Sequence, residues 1–458
     1  MKTQEQASPV PVERRRLTGW GRTPPSMCDV AAPLTSDDVE RFLTQPEGRG
    51  LIPRGLGRSY GDAAQRSGGL VLDMTNFKEI GEVDPSTGLL SVDAGVSIDE
   101  LLRVVLPQGW FVPVTPGTRS VTIGGAIAAD IHGKNHHRDG SFCNHVTSMT
   151  LATPTGTFEV TPENDPELFW GTAGGMGLTG AVLKATVRLH PVESSWVTVD
   201  TLRFRDLGAL MQEMEATDHS HHYSVAWVDC NAGGKRKGRS ILTRGAHASA
   251  ARARLGKKDV YEEFARPLVT IPREAPKGLL NMASVAAFNE LWYLRAPKAK
   301  SDELQHISTF FHPLDGVADW NLLYGANGFL QYQFAVSDAH GDVVREAIDL
   351  VCAARAPSFF AVLKRFGPGN VGPLSFPIAG WTLALDFPVG PPALPALVES
   401  LDQIVDNAGG RVYLAKDSRV PPARLHHMYP RIPELQSVRK RIDPDGILHS
   451  DLSLRLNL

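Results

Sequence analysis

Between about residues 50 and 190, short runs of alternating apolar and polar side chains (GLVLDM, LLSVDAGV, HVTSMTLATPTG and TGAVLKATVRLH) are separated by glycine-rich turns and a few short helices. A period of two puts successive side chains on opposite faces of a strand, so this stretch predicts sheets with intervening helices, an α+β fold. From about 194 to 410, strands of the same character mix with longer helical patterns, among them SDELQHISTFF (301–311) and GDVVREAIDLVCAARA (341–356). Beyond Gly409-Gly410 a short strand, RVYLA, leads through KDSR to a predicted helix around ELQSVRKRID. The longest apolar patch, GLLNMASVAAFNELWYL (278–294), is interrupted by Asn and Glu and reads first as a core helix, second as a helix lying on a bilayer. No internal repeat and no low-complexity linker is visible.

Composition then narrows the class. The 458 residues, 42% hydrophobic and 21% charged, suffice for two or three domains with cores of their own. A formal charge of −3 argues against nucleic acid as a partner, and the basic GGKRKGR (233–239) reads as a solvated loop. Cys28, Cys143, Cys230 and Cys352 are far apart with no C-x-x-C pair, which signals neither a disulfide framework nor a zinc site and fits a reducing compartment. The N-terminal Arg run is followed by no apolar segment, so no signal peptide is expected, and no stretch has the length of a spanning helix.

Candidate chemistry lies in the glycine-rich loops. Gly175-Met-Gly177-Leu-Thr-Gly180 is a literal G-x-G-x-x-G, but a dinucleotide fingerprint must open a helix whose N-terminus meets the pyrophosphate, and AVLKATVRLH after it alternates like a strand. The motif is therefore expected to be a turn into a sheet. RGLGRSYGD (54–62) fits a phosphate cradle better: Gly55, Gly57 and Gly61 free the backbone for close approach, and Arg54 and Arg58 add charge. A second loop, PGTRSVTIGGAIAADIHG (116–133), offers Thr118, Thr122, Gly124 and Gly125 as further donors. Two such loops in one domain imply a large, doubly anchored anionic ligand. His132 and His136 have the H-x-x-x-H spacing of a zinc pair, but Gly133 and Asn135 disfavour helix and no third ligand stands at a recognisable spacing, so no metal is expected.

Taken in order, RGLGRSYGD, PGTRSVTIGGAIAADIHGKNHHRDGSFCNHV, GGMGLTG, GFLQYQF, FPIAGWTLALDFP and YLAKDSR resemble the decaprenylphosphoryl-β-D-ribose 2′-oxidase family of actinobacteria, within the vanillyl-alcohol-oxidase superfamily of FAD enzymes. The resemblance runs from RRLTGWGRT at residue 15 to the C-terminus. It implies a PCMH-type FAD-binding domain of two α+β subdomains (1–193), a substrate domain with a large antiparallel sheet (194–410) and a C-terminal segment (411–458) that returns to the FAD domain. It also implies which residues hold FAD. In the first loop these are Pro53, Arg54, Gly55, Leu56, Gly57, Arg58, Ser59, Tyr60, Gly61, Asp62 and Ala63; in the second, Gly117, Thr122, Ile123, Gly124, Gly125, Ala129, Asp130, Ile131 and His132; beyond them, Val182 and Tyr413. Relatives with covalent flavin commonly carry a His just after the first-loop glycines; Arg58 holds that place here, so non-covalent FAD is expected.

The implied reaction removes the proton of the 2′-hydroxyl of a polyprenylphosphate-linked ribose and passes the C2′ hydride to FAD. An NAD-dependent keto-reductase partner would then complete epimerisation to the arabinose donor for cell-wall arabinan. Lys416, Tyr60 and His132 are the implied catalytic residues, and Gln331, Gln333, Lys364, Thr382 and Ala384 the implied substrate residues. Period-two alternation supports this grouping, because it sets Gln331 and Gln333 on one strand face, Thr382, Ala384 and Asp386 on one face of another, and Lys364 beside Phe360 and Val362. A solvated sheet face would show the same alternation. Mycobacterial members carry Asn and Cys where Thr382 and Ala384 stand, a departure at the sugar site. A lipid substrate implies peripheral contact with the plasma membrane; the sequence itself suggests the cytoplasm, and the resemblance leaves a periplasmic or cell-envelope place open. Two other readings are an FAD oxidase of another sugar or polyol and a non-catalytic flavin-binding scaffold.

Overall fold

The four alternating runs supply one strand of a first four-stranded sheet and three of a second; Val12–Leu17, Ser26–Ala31, Leu51–Arg54 and Gly156–Val160, which the alternation did not mark, complete them. In the first, Val12–Leu17 pairs antiparallel with Ser26–Ala31, and Leu70–Asp73 lies parallel between Ser26–Ala31 and Leu51–Arg54. The second is antiparallel, in the order Leu89–Asp93, Ala181–Arg188, Val146–Thr153, Gly156–Val160. This computed structural model describes residues 10–45, 50–264, 267–276 and 278–458; the first nine residues of the N-terminal segment read above lie outside them. Helix Ile98–Val105 starts at a reciprocal cap between Ser97 and Glu100 and buries Ile98, Leu101, Leu102 and Val105 in the core of the second sheet. Gly175–Gly180 leads directly into Ala181–Arg188, so the literal G-x-G-x-x-G is a turn into a strand. A Cβ at Gly180 would stand 2.4 Å from the Ala152 carbonyl oxygen, which accounts for its last glycine.

The remainder centres on one eight-stranded antiparallel sheet, in the order Ala299–His306, Trp196–Phe204, Ser240–His247, Tyr223–Val228, Ala361–Phe366, Gly380–Pro388, Phe329–Ser337, Arg411–Val412. Its register decides which side chains share a face. Directly opposed residues share a face, and the pairs Gln331–Asp386, Gln333–Ala384 and Lys364–Thr382 put the polar candidates on one side. On the other side Tyr332, Phe334, Val336, Leu363, Trp381, Leu383 and Leu385 join the main core with helices Leu207–Thr217, Asp342–Ala353 and Leu394–Asn407. A slip of one residue would bury the glutamines among these helices and turn Phe334 and Leu383 toward the site.

The C-terminal segment closes on the first sheet: Leu51 N–H donates to the Ile447 carbonyl and His449 N–H to that of Leu51, while Arg455 reaches both Asp62 and Asp417.

Four local expectations are corrected. Residues 301–306 belong to strand Ala299–His306, with helix only from Ile307 to Phe311, because His306 caps the helix by accepting from Ser308 N–H. In RVYLA only Arg411–Val412 pairs as a strand, since Tyr413 and Leu414 turn to accept the amides of Lys416 and Asp417. Arg239, read as part of a solvated loop, is buried against Asp229 and also pairs with Glu290. The apolar patch 278–294 is not a core helix: helix Met282–Arg295 buries only Val285 and Asn289 and leaves Leu291 68%, Leu294 62% and Trp292 46% exposed.

Candidate active site

The first glycine loop, which follows strand Leu51–Arg54, is held by its neighbours. Arg54 donates to the Ala64 and Thr18 carbonyls (2.7 and 2.8 Å), so its guanidinium shapes the loop instead of standing free for a ligand. A Cβ at Gly55 would lie 2.1 Å from Thr122 Oγ1, and one at Gly61 would lie 2.0 Å from the Asp417 carbonyl. These contacts seat the loop against both the second glycine loop and the C-terminal segment. The amides of Leu56, Gly57, Arg58 and Ser59 find no hydrogen-bond acceptor among the described residues. Arg58 lies 4.0 Å over the Trp20 ring, and its buried Nε is likewise unpartnered. Asp62 receives both arms of Arg455.

The second loop corrects the expectation that its glycines donate to a ligand. Ile123 N–H is taken by the Val96 carbonyl, Gly124 N–H by that of Ala94, and Gly125 N–H by Thr122 Oγ1, which caps helix Ile123–Ala128. Space at Gly124 is tight: a Cβ there would stand 3.1 Å from the Ala94 methyl. Gly117 faces open room. Downstream, buried Asp130 accepts from Cys143 N–H and the Asn370 amide, and Ala129 accepts from the Tyr413 hydroxyl at 2.7 Å. Tyr413 also stacks on Phe376, Ile131 accepts from Phe142 N–H, and Val182 is buried beneath the loop in the second core.

His132 leaves this loop for the polar sheet face. Its Nε2 meets Gln333 Nε2 at 2.9 Å, and the same carboxamide donates to Thr382 Oγ1 at 3.2 Å. Burial, then the charges of Lys364 and neighbouring groups, push the imidazole well below its ordinary pKa, so it is neutral near pH 7. Its buried Nδ1 has no partner among the described residues. His136 is engaged elsewhere, accepting from Gly367 N–H through Nδ1, and among the described residues no three His, Cys, Asp or Glu side chains converge as metal ligands.

Gln331 and Gln333 are 8% and 4% exposed, which decides against a solvated face. Thr382 is fully buried and Ala384 partly so on the same side. Lys416 Nζ sits 3.5 Å over the Tyr60 ring; burial lowers this ammonium to about 7, against the opposing pull of Asp386. Burial also lowers Lys364, to about 8, and Lys134, to about 7. Sequence reasoning missed Lys134, although it stands in HGKNHH, and Tyr324, which no motif marks. It placed Asp386 on the right face without a role.

Comparison with known proteins shows the family. An FAD binding domain family matches residues 29–161. Decaprenylphosphoryl-beta-D-ribose oxidase of Mycolicibacterium smegmatis is 43% identical over 460 aligned residues, spanning 98% of both chains. The chain belongs to this oxidase family. An uncharacterised protein of Streptomyces coelicolor is 38% identical over 79% of the chain and all of its own length. L-galactono-1,4-lactone dehydrogenase of Arabidopsis thaliana is 28% identical over 40% of the chain and 30% of its own. The chain is thus an FAD-dependent oxidoreductase of mixed α+β fold, with FAD as cofactor.

The residues present fit that cofactor. Unpartnered amides at 56–59, the buried Arg58 Nε and the partnerless His132 Nδ1 are polar groups awaiting acceptors or donors. Partly buried cations at Lys364 and Lys416 suit a large anionic group and the substrate beside it, whereas Lys134 already donates to the Phe310 carbonyl.

Proposed function

We propose that this protein oxidises the 2′-hydroxyl of a polyprenylphosphoryl-β-D-ribose to the 2′-keto sugar. The observation carrying this reading is the buried polar face of the large sheet, with Gln331, Gln333 and Thr382 between Lys364 at one end and Lys416 over Tyr60 at the other. Bound FAD supplies the hydride acceptor. The two carboxamides and the Thr382 hydroxyl bind and orient sugar hydroxyls; a buried hydrogen-bonding site discriminates strongly, because an analogue lacking a hydroxyl leaves them unpaired. Lys364 provides a point charge for the lipid phosphate. Tyr60 positions the reacting sugar carbon, and neutral His132 orders Gln333. Lys416 takes the hydroxyl proton at Nζ; burial lowers its proton affinity, which favours the free amine that this step needs. FAD is held without a covalent link, and Arg54, Gly55, Gly61, Thr122 and Gly124 shape the cradle while the amides of 56–59 line it.

A 2′-keto product needs a hydride from the opposite face to become the epimer, which calls for an NAD-dependent keto-reductase as partner in arabinan synthesis. The exposed apolar helix Met282–Arg295, with Leu268 and Val269 also bare, supports peripheral contact with the membrane that holds the lipid substrate. No helix of the described residues is long and apolar enough to cross it.

Anaerobic addition of a short-chain polyprenylphosphoryl ribose tests the reading: the flavin absorbance should bleach within seconds. Bleaching by free polyols but not by the phosphoryl ribose would assign a different sugar oxidase. No bleaching with either would leave a flavin-binding scaffold.

A further inference from the structure

Asp386 is fully buried in strand Gly380–Pro388, on the polar face and directly opposite Gln331. Its hydrogen-bond donors are both neutral: the Gln331 carboxamide, and the Tyr324 hydroxyl at 3.4 Å. Several buried carboxylates elsewhere are matched with arginine. Asp402 receives Arg419 and Arg424, Asp229 receives Arg239, and Asp62 and Asp417 share Arg455. Asp130, Asp218 and Asp443 also rely on neutral donors, but they lie off the polar face. No ion pair to Asp386 is formed among the described residues; its donors are Gln331 and Tyr324, and Lys416 acts on it through the field alone. A carboxylate left without a cation on the substrate face of an oxidoreductase calls for a reason, since burial of an unpaired charge is costly.

The surrounding groups supply one. Tyr324 comes from the turn before strand Phe329–Ser337, Gln331 from that strand, Tyr60 from the first glycine loop and Lys416 from the C-terminal segment. Asp386 acts electrostatically on Tyr60, Tyr324 and Lys416; Arg58 bears on Tyr60, and Lys364 repels Lys416. Burial raises Asp386 to about 7 while lowering Lys416 to about 7, each opposed by the other's charge. Each charge therefore favours the other's ionised form against the burial that disfavours both.

We propose that Asp386 is a positioning residue for the proton step: its charge keeps Lys416 a strong enough base to take and hold the hydroxyl proton. This rests on the alcohol oxidation proposed above. The C–H bond breaks with its electron pair leaving as hydride to the FAD oxidant. The O–H bond breaks with its electrons remaining to form C=O, and the proton binds the Lys416 amine. Without the carboxylate, burial and Lys364 act on Lys416 unopposed. Its proton affinity falls, and it releases the proton it should hold.

The test is Asp386→Asn in the holoprotein. Asn preserves the shape and can still accept from Gln331. Lys416 is titrated without substrate by competitive labelling with acetic anhydride across pH 5.5–9, read by peptide mass spectrometry, since only the free amine reacts. The labelling midpoint should fall by one unit or more, a tenfold change in free amine at fixed pH below it. The acid limb of anaerobic flavin reduction should move down in pH by the same amount, with FAD content unchanged. An unmoved midpoint overturns the proposal even if activity is lost, because a purely structural role would cost rate without altering the lysine. If Asp386→Asn loses its FAD, Tyr324→Phe decides: removing a donor from the carboxylate favours its protonated form, so the Lys416 midpoint should drop in the same direction by less, and no drop refutes the idea. Failure of the ribose lipid to bleach the flavin would sink the substrate assignment alone, since the labelling uses no substrate.

Discussion

Replacing Arg455 with Ala should loosen the joint on which the site depends. Arg455 donates to both oxygens of Asp62 at 2.9 Å and to Asp417 at 3.0 Å, and these carboxylates are 4% and 5% exposed at the side chain. Asp417 keeps the amides of Arg419 and Val420, but Asp62 has no other side-chain partner among the described residues. Breaking a buried pair by removing one member typically costs about 3–5 kcal/mol, mostly from the charge left behind. Unfolding entropy of about 2.1 cal/mol/K per residue gives roughly 1 kcal/mol/K for a chain this long, so Tm should fall by about 3–5 °C, and by more if the FAD domain unfolds first. Asp62 ends the loop that carries Tyr60, and Asp417 follows Lys416, so weaker FAD retention on dilution should accompany the drop. The companion variant Asp62→Asn/Arg455→Met removes both charges and should recover at least half of the loss, because no buried charge is stranded. Differential scanning fluorimetry with matched FAD loading measures both. An Arg455→Ala protein within about 1 °C of the parent, with undiminished FAD retention, would show that this bridge does not hold the loops together.

Three further outcomes are expected. Acid precipitation should release the flavin into the supernatant, because Arg58 occupies the linking position; yellow colour in the pellet would refute non-covalent binding. His136 is buried neutral, its pKa lowered to about 3 by burial, so the unfolded chain binds its proton first. Stability is therefore lost as pH falls below about 6.5, by about 2 kcal/mol at pH 5. His136→Asn should flatten the urea-midpoint profile between pH 7.5 and 5 by that amount, and an unchanged slope would contradict the assignment. Nitroaromatic inhibitors that trap family members through a Cys at position 384 should bind this protein reversibly, whereas Ala384→Cys, on the site face opposite Gln333, should gain a covalent adduct. Intact-protein mass spectrometry showing an adduct on the parent, or none on the variant, would place this strand wrongly.

Period-two alternation was enough to place four strands of the glycine-rich third, to reject the G-x-G-x-x-G at 175–180 and to sort Gln331, Gln333, Thr382, Ala384 and Asp386 by face, because side-chain direction in a strand is a local property of the backbone. The ordered motifs carried the family, since they reflect the cofactor's demand for close backbone approach. Partnership was not legible. Gly124 and Gly125 look like donors in the sequence, yet their N–H groups are consumed by Ala94 and Thr122, and Arg54 looks like a free charge yet binds Thr18 and Ala64. A one-dimensional pattern does not tell which acceptor a folded chain brings within 3 Å. Burial was equally hidden: the apolar run at 278–294 suits a core but lies bare, while Arg239, in a basic loop, is buried on Asp229. Only tertiary structure brings Tyr60, Tyr324, Asp386 and Lys416 together from four separate segments. The proton affinities of such a cluster arise from shared burial and mutual charge, which no single segment possesses.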